Sequence, residues 1–179
     1  MELIANLKKN WSAQYRKKMG GSKEDVWKVI SMQNNLNYVH PFCKKNKVIL
    51  WDGEKSKDIL VYLNDLTFIR EFLTWEKNIG YSLIIGEKNK QKSYVEWEID
   101  TINDDTYLTI TVYPYFIKNL PKFITFFPYY LFVIPKLKSY LKSVIKGIDY
   151  FVKTKKPIPK NYFGKHSCCL LYTSDAADE

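Results

Sequence analysis

The sequence predicts an α+β fold, a seven-stranded curved antiparallel sheet wrapped around a long C-terminal helix, with two short helices after the first strand. Three observations predict it. Between Lys47 and Tyr115, short runs of β-branched and aromatic residues alternate with turn signals. From Pro135 to Pro157 the apolar residues recur at helical spacing instead. Ahead of the strands, the stretch "GGSKEDVWKVISM" carries a helix-start signal.

In chain order, "NWSAQYRKKM" supplies a first strand. Ser22 and Asp25 then form a capping box with Asp in the usual Glu position, and Val26, Trp27, Val29 and Ile30 give the helix a buried side. "NNLNYVHPF" makes a short second helix that Pro41 stops. Six strands follow: "KVILWDG", "KDILVYLND", "LTFIREFLTWEKNIG", "YSLIIGEK", "KSYVEWEID" and "TYLTITVYP". They read as a meander, to which the first strand adds one more. In the last helix Leu137, Tyr140, Leu141, Val144, Ile145, Ile148, Phe151 and Val152 form the apolar face, with lysines elsewhere. Pro135 suits its first turn and Pro157 its stop. Gly147 sits mid-helix, where it costs ~1 kcal/mol against Ala, so something bulky is expected to press on it.

At 179 residues the chain suits one domain. Hydrophobic residues make up 46% and aromatics 16%, which marks a folded globule with much aromatic side chain to house. The formal charge of +9 comes almost wholly from Lys, since Arg16 and Arg70 are its only arginines. Lys, Asn, Ile, Tyr and Phe share A/T-rich codons, so genome bias accounts for the basicity. No reading helix, zinc spacing or RNA-binding signature accompanies it, and a nucleic-acid partner is not expected. Cys43 stands alone in the body, with Cys168 and Cys169 adjacent at the end, so neither a disulfide framework nor a metal site is expected. "MELIANLKKNW" has no long apolar stretch before its lysines, and cytoplasmic residence is the expectation. No P-loop or dinucleotide fingerprint occurs, and no cofactor is expected.

The order of elements resembles the helix-grip superfamily SRPBCC, which includes START lipid-transfer domains, the birch-pollen-allergen fold and polyketide cyclases. "VWKVIS", "HPFC", "IREFLTWEKNIGYSLIIGEKNKQKSYVEWEI" and "YLKSVIKGIDYFVKTKKPIPKNYFGKH" are similar to an uncharacterised bacterial branch of it, over roughly Trp11 to His166. Residues 1–168 are therefore read as a single domain. The tail from Cys169 to Glu179 turns abruptly to Ala, Asp, Ser and Thr, and it resembles the translation of a transposase adapter used in preparing sequencing libraries. Residues 169–179 are accordingly read as a non-native tail.

A curved sheet covered by one helix leaves a cavity, and the resemblance implies that it holds a hydrophobic or amphipathic small molecule or a lipid. Strand alternation separates Phe68, Arg70 and Phe72 from Ile69, Glu71, Leu73 and Trp75. Related pocket proteins often place an acid from this strand in the cavity, which puts Glu71 inward, as a polar anchor or a base with a pKa raised by desolvation, and Arg70 outward; the competing reading of Glu71 is a cross-strand ion pair with Lys. Tyr81 and Leu83 share a face, as do Val95 and Trp97. Together with Leu73, Trp75, Ile148 and His40, which precedes Pro41, these are the expected ligand-binding residues. No catalytic set is assigned. Two alternatives stand beside binding. One is a polyketide cyclase or hydratase-like enzyme on the same fold, using Glu71, His40 or a pocket tyrosine as acid or base. The other is a peripheral protein that meets an anionic membrane through the aromatic segment 116–134, whose longest uncharged run is too short and Pro-broken to span a bilayer.

Overall fold

A computed structural model describes residues 12–115 and 133–165, together with Ala5 and Lys8. The tail from Cys169 and all but the last two residues of the segment 116–134 lie outside the described residues. The elements follow the expected order: β1 (Ala13–Lys18), α1 (Lys23–Ile30), α2 (Leu36–Val39), β2 (Cys43–Leu50), β3 (Lys57–Tyr62), β4 (Thr67–Glu76), β5 (Gly80–Gly86), β6 (Ser93–Ile102), β7 (Asp105–Tyr113) and α3 (Ile134–Thr154). The seven strands form one antiparallel sheet in the order β1-β7-β6-β5-β4-β3-β2. Strands β2 to β7 are a meander, and β1 closes the other edge by pairing with β7, from Ala13↔Val112 to Lys18↔Tyr107. Helices α1 and α2 carry the chain from one edge of the sheet to the other.

The capping box at α1 is complete. The Asp25 N–H donates to Ser22 Oγ at 3.1 Å, and the Ser22 N–H donates back to Asp25 Oδ2 at 3.1 Å. Two orphan donors of the first turn are thereby satisfied. The β6–β7 turn is a two-residue loop, Asn103–Asp104, with both φ positive, at 47° and 65°. That is the twist-matched hairpin geometry for which Asn and Asp are among the best side chains. The exposed edge strand β2 carries register shifts near both ends and exposes Lys44, Lys45 and Lys47.

A β-bulge in β4 shapes the interior. Phe72 pairs with Leu83, but the next pair is Thr74 with Ser82, so Leu73 is an extra residue. Alternation restarts after it, and Phe72 and Trp75, three apart, both point inward. Their rings join Trp27, Trp51 and Tyr81 in an edge-to-face cluster with centroids 5.1–5.5 Å apart, and Tyr81 stacks between Trp75 and Trp97. Edge-to-face and offset geometries of this kind add to the burial of the rings themselves.

Helix α3 lies against β1, β7, α1 and α2. Its C-terminal half is fastened at several points. Asp149, buried on the helix, accepts from Lys17 Nζ at 2.6 Å and from the Gly20 N–H at 2.7 Å. Beyond the helix, the Ile158 N–H donates to Tyr38 O at 2.8 Å and the Asn161 N–H to Pro41 O at 2.9 Å. The neighbour expected at Gly147 is backbone rather than a bulky side chain: a Cβ there would lie 2.1 Å from the Val39 carbonyl oxygen at the end of α2. Gly147→Ala therefore has to separate the two helices. We expect net destabilisation of ~1–3 kcal/mol from overpacking, despite the ~1 kcal/mol that Ala gains in helix propensity, read as a lowered midpoint in urea unfolding.

Candidate functional site

Between the concave face of the sheet and the N-terminal half of α3 lies a cavity of about 70 Å³. Its sheet wall includes Leu60, Phe68, Leu83, Val95, Trp97 and Ile110, and its helix wall is Leu137, Tyr140, Leu141 and Val144. Against this apolar lining stand four polar side chains: His40, Tyr62, Arg70 and Tyr140.

Arg70 and its partner come from neighbouring strands. Asp58 on β3 and Arg70 on β4 are opposite each other in the ladder, so their side chains emerge on the same inner face. Arg70 Nε donates to Asp58 Oδ1 at 2.8 Å, and Nη2 donates to Asp58 Oδ2, a two-pronged pair. Arg70 is 3% exposed and Asp58 fully buried. Burial opposes the guanidinium charge, but the adjacent carboxylate outweighs it and holds the Arg70 pKa above its ordinary value. The Tyr81 hydroxyl is close enough to feel both charges. It makes no hydrogen bond of good geometry and is a buried polar atom without a partner. Burial pushes its phenol pKa up, so it is an intact O–H at any physiological pH.

His40 follows α2 and is 3% exposed. The Phe42 N–H donates to its Nδ1 at 3.2 Å, which places the imidazole proton on Nε2. Nε2 lies 2.8 Å from the Tyr140 hydroxyl, which is in turn 3.1 Å from the Tyr62 hydroxyl. Helix α2, helix α3 and strand β3 are thus joined by one polar row. Burial, with the Arg70 charge second, lowers the His40 pKa to about 3, so the ring is neutral at ordinary pH. Burial likewise pushes the neighbouring Cys43 thiol up to about 11, and no thiolate is available as a nucleophile.

Of the residues expected from the sequence, His40, Leu83, Val95 and Trp97 line the cavity. The assignment of Glu71 and Arg70 is reversed. Glu71 sits on the outer face, paired with Lys57 and Lys92 at 2.5 Å each. Those bonds hold its carboxyl below the usual value rather than above it. Leu73 is the bulge residue and does not line the cavity, Trp75 belongs to the adjoining aromatic cluster, and Ile148 is wholly buried in the core behind the cavity wall. Tyr81 reaches the site only through its hydroxyl beside Arg70. The residues missed were Asp58, Arg70 and Tyr140. One signal was present: Asp58 shares its alternation phase with Leu60 and Tyr62, and Arg70 with Phe68 and Phe72. Two opposite charges, each alone in an apolar row on adjacent strands, imply a buried pair.

No group of His, Cys, Asp and Glu able to hold a metal occurs among the described residues, and no described helix is long and apolar enough to cross a membrane.

The architecture is that of the helix-grip fold, and solved structures share it. DynU16, a protein of the dynemicin biosynthetic locus, superposes with a TM-score of 0.63 at 11% identity over 82% of this chain and 48% of its own. The present chain thus spans about half the length of that protein. MLL2253 from Mesorhizobium loti gives 0.61 at 10% identity, covering 79% of this chain and 96% of its own. Ara h 8.0201 gives 0.57 at 10% identity, covering 79% and 97%. Identities this low establish the fold alone. No protein-family model and no curated protein matches the sequence.

Two outcomes test the electrostatics of the site. Arg70→Met leaves the Asp58 carboxylate buried and unpaired and is expected to cost ~3–5 kcal/mol in denaturant unfolding, whereas Arg70→Met with Asp58→Leu removes both charges and is expected to restore most of it. The second concerns pH. A folded His40 pKa of about 3, against the ordinary 6.5, means that the unfolded chain takes up a proton that the folded chain refuses. Stability should therefore fall as pH drops below about 6.5 toward 3. Urea midpoints between pH 7 and 5, above the carboxylate range, should decline in the wild type and stay flat in His40→Gln.

Proposed function

We propose that the protein binds a hydrophobic or amphipathic small molecule in the cavity between the sheet and α3. The observation that carries this reading is an apolar cavity whose few polar groups are buried or half-buried and oriented by hydrogen bonds. Small-molecule sites have this composition, apolar walls for affinity and a few placed polar groups for orientation. Burial of apolar ligand surface at ~25 cal/mol per Å² supplies the driving force, less the ordering costs.

The volume limits what fits without movement. About 70 Å³ is below the ~300 Å³ at which ligand pockets usually begin, and suits a small fragment. A lipid-sized ligand requires a wall to yield. Among the described residues the backbone fastening of α3 lies from Gly147 onward, while the cavity-lining part, Leu137 to Val144, is held by the side-chain bond of Tyr140 to His40, and we assign the yielding to that part.

A second reading, an enzyme of the polyketide cyclase or hydratase kind, draws support from the bonded row His40–Tyr140–Tyr62. Binding ranks first because general acid–base chemistry works best with a group titrating near the operating pH, and His40 titrates near 3. A likeness of fold to DynU16 does not decide between them.

Native mass spectrometry of the purified chain, before and after organic extraction and after incubation with short-chain apolar probes, tests the reading. A small bound mass that extraction removes, or uptake of a probe at one per chain, is the expected result. A clean unliganded mass under all conditions would overturn it. Leu83→Trp, which fills the cavity from the sheet side, is expected to abolish uptake.

A further inference from the structure

The cavity is rich in donors. Arg70 has five N–H donors, of which the bonds to Asp58 use one at Nε and one at Nη2. Among the described residues no acceptor other than Asp58 makes a hydrogen bond of good geometry with this guanidinium, which also acts on the Tyr81 hydroxyl, although the side chain is only 3% exposed and forms part of the cavity wall. Beside it, the buried Tyr81 hydroxyl also lacks a partner. The remaining Arg70 donors open on the cavity, and a buried hydroxyl left without a partner costs ~1–3 kcal/mol, so a ligand acceptor that reaches Tyr81 relieves a standing penalty.

The formal charge of the cluster decides which acceptor. Arg70 and Asp58 cancel, and His40, Tyr62, Tyr81 and Tyr140 are neutral side chains facing the same space or its edge. A carboxylate ligand would leave the buried cluster with a net negative charge and would surrender its own hydration. An ammonium would meet a guanidinium. A neutral oxygen acceptor avoids both costs, takes up the free N–H donors of Arg70, and reaches toward the Tyr81 hydroxyl.

We propose that Arg70, held in place by Asp58, anchors the polar end of the ligand through a neutral carbonyl oxygen, such as that of a ketone or ester, and that the cavity disfavours carboxylates and amines. The inference rests on the binding function proposed above and adds the chemical class of the ligand. Asp58 acts as a positioning residue: its two bonds fix the plane of the guanidinium and thereby the direction of the remaining donors.

The test compares four short-chain probes of equal length, namely an alkane, its methyl ketone, the fatty acid and the primary amine. Affinities are measured by titrating the wild-type chain and following its tryptophan fluorescence, to which Trp97 of the cavity wall contributes, and, independently, by calorimetry. The ketone is expected to bind about ten- to a hundredfold more tightly than the alkane, the range of one hydrogen bond to a charged donor, and more tightly than the acid or the amine. In the double variant Arg70→Met with Asp58→Leu, which avoids an unpaired buried charge, the ketone-to-alkane ratio should collapse toward one. Equal binding of ketone and alkane to the wild type would overturn the anchor while leaving the cavity-binding function standing. Tighter binding of the fatty acid or amine would overturn the neutral class. No binding by any probe would overturn the binding function and the anchor with it. A ketone-to-alkane ratio that survives in a folded double variant would assign the preference to other groups and remove Arg70 from the role.

Discussion

The approach of α3 to the carbonyl of Val39 governs the placement of nearly everything else. It requires a residue without a Cβ at position 147, since an atom there would lie 2.1 Å from that oxygen. Two turns earlier on the same helix is Tyr140, and one residue after Val39 is His40. The close approach at Gly147 therefore brings the end of α2 and the middle of α3 to the separation at which His40 Nε2 and the Tyr140 hydroxyl are 2.8 Å apart. Glycine weakens the helix locally, and in return the polar row beside the cavity forms where the two helix backbones meet.

On the opposite wall the bulge at Leu73 does comparable work. A strand with unbroken alternation turns every second residue inward, which gives β4 the inward series Phe68, Arg70, Phe72 and Thr74. The bulge substitutes Trp75 for Thr74 and closes that end of the interior with an aromatic cluster. The cavity that remains runs along Phe68 and Arg70, between this cluster and a second group of rings made by His40, Phe42, Tyr62 and Tyr140. Its small size follows from aromatic packing at both ends, and its polarity from the Asp58–Arg70 pair together with His40, Tyr62 and Tyr140.

The same bulge explains what could and could not be read from the sequence. Turn residues, β-branched runs and helical spacing are local signals, and they located every strand, the capping box at Ser22 and the helix bounded by Pro135. Alternation alone puts Tyr81 with Leu83 and Val95 with Trp97 on shared faces, and three of these four line the cavity; the register that sets Tyr81 opposite Trp97 and Leu83 opposite Val95 comes only with the fold. On β4 that reasoning failed, because Glu71 and Trp75 were assigned to one face across an extra residue that carries no signature of its own in "FIREFLTWE". An analogy with acidic pocket residues then favoured Glu71 over Arg70, although Lys57 and Lys92 stand ready to pair with Glu71 outside. Tyr140 was legible as an apolar-face residue but not as a hydroxyl donor or acceptor, since its partner His40 is a hundred positions away and only the tertiary fold joins them.

The pairing of β1 with β7 has a consequence for how the molecule is made. Ala13 and Val112 lie at opposite ends of the sheet-forming sequence, yet they are neighbours in the ladder. Strand β1 leaves the ribosome first and has no partner until the whole meander has been synthesised. Until then its backbone donors and acceptors have no sheet to join, and α1 and α2 have only part of the surface they cover in the finished protein. Contacts so distant in sequence fold slowly, since the entropy of closing the loop is lost before the pairing repays it. Of the strands in this sheet, β1 is thus the one whose pairing must wait for all the others to be synthesised.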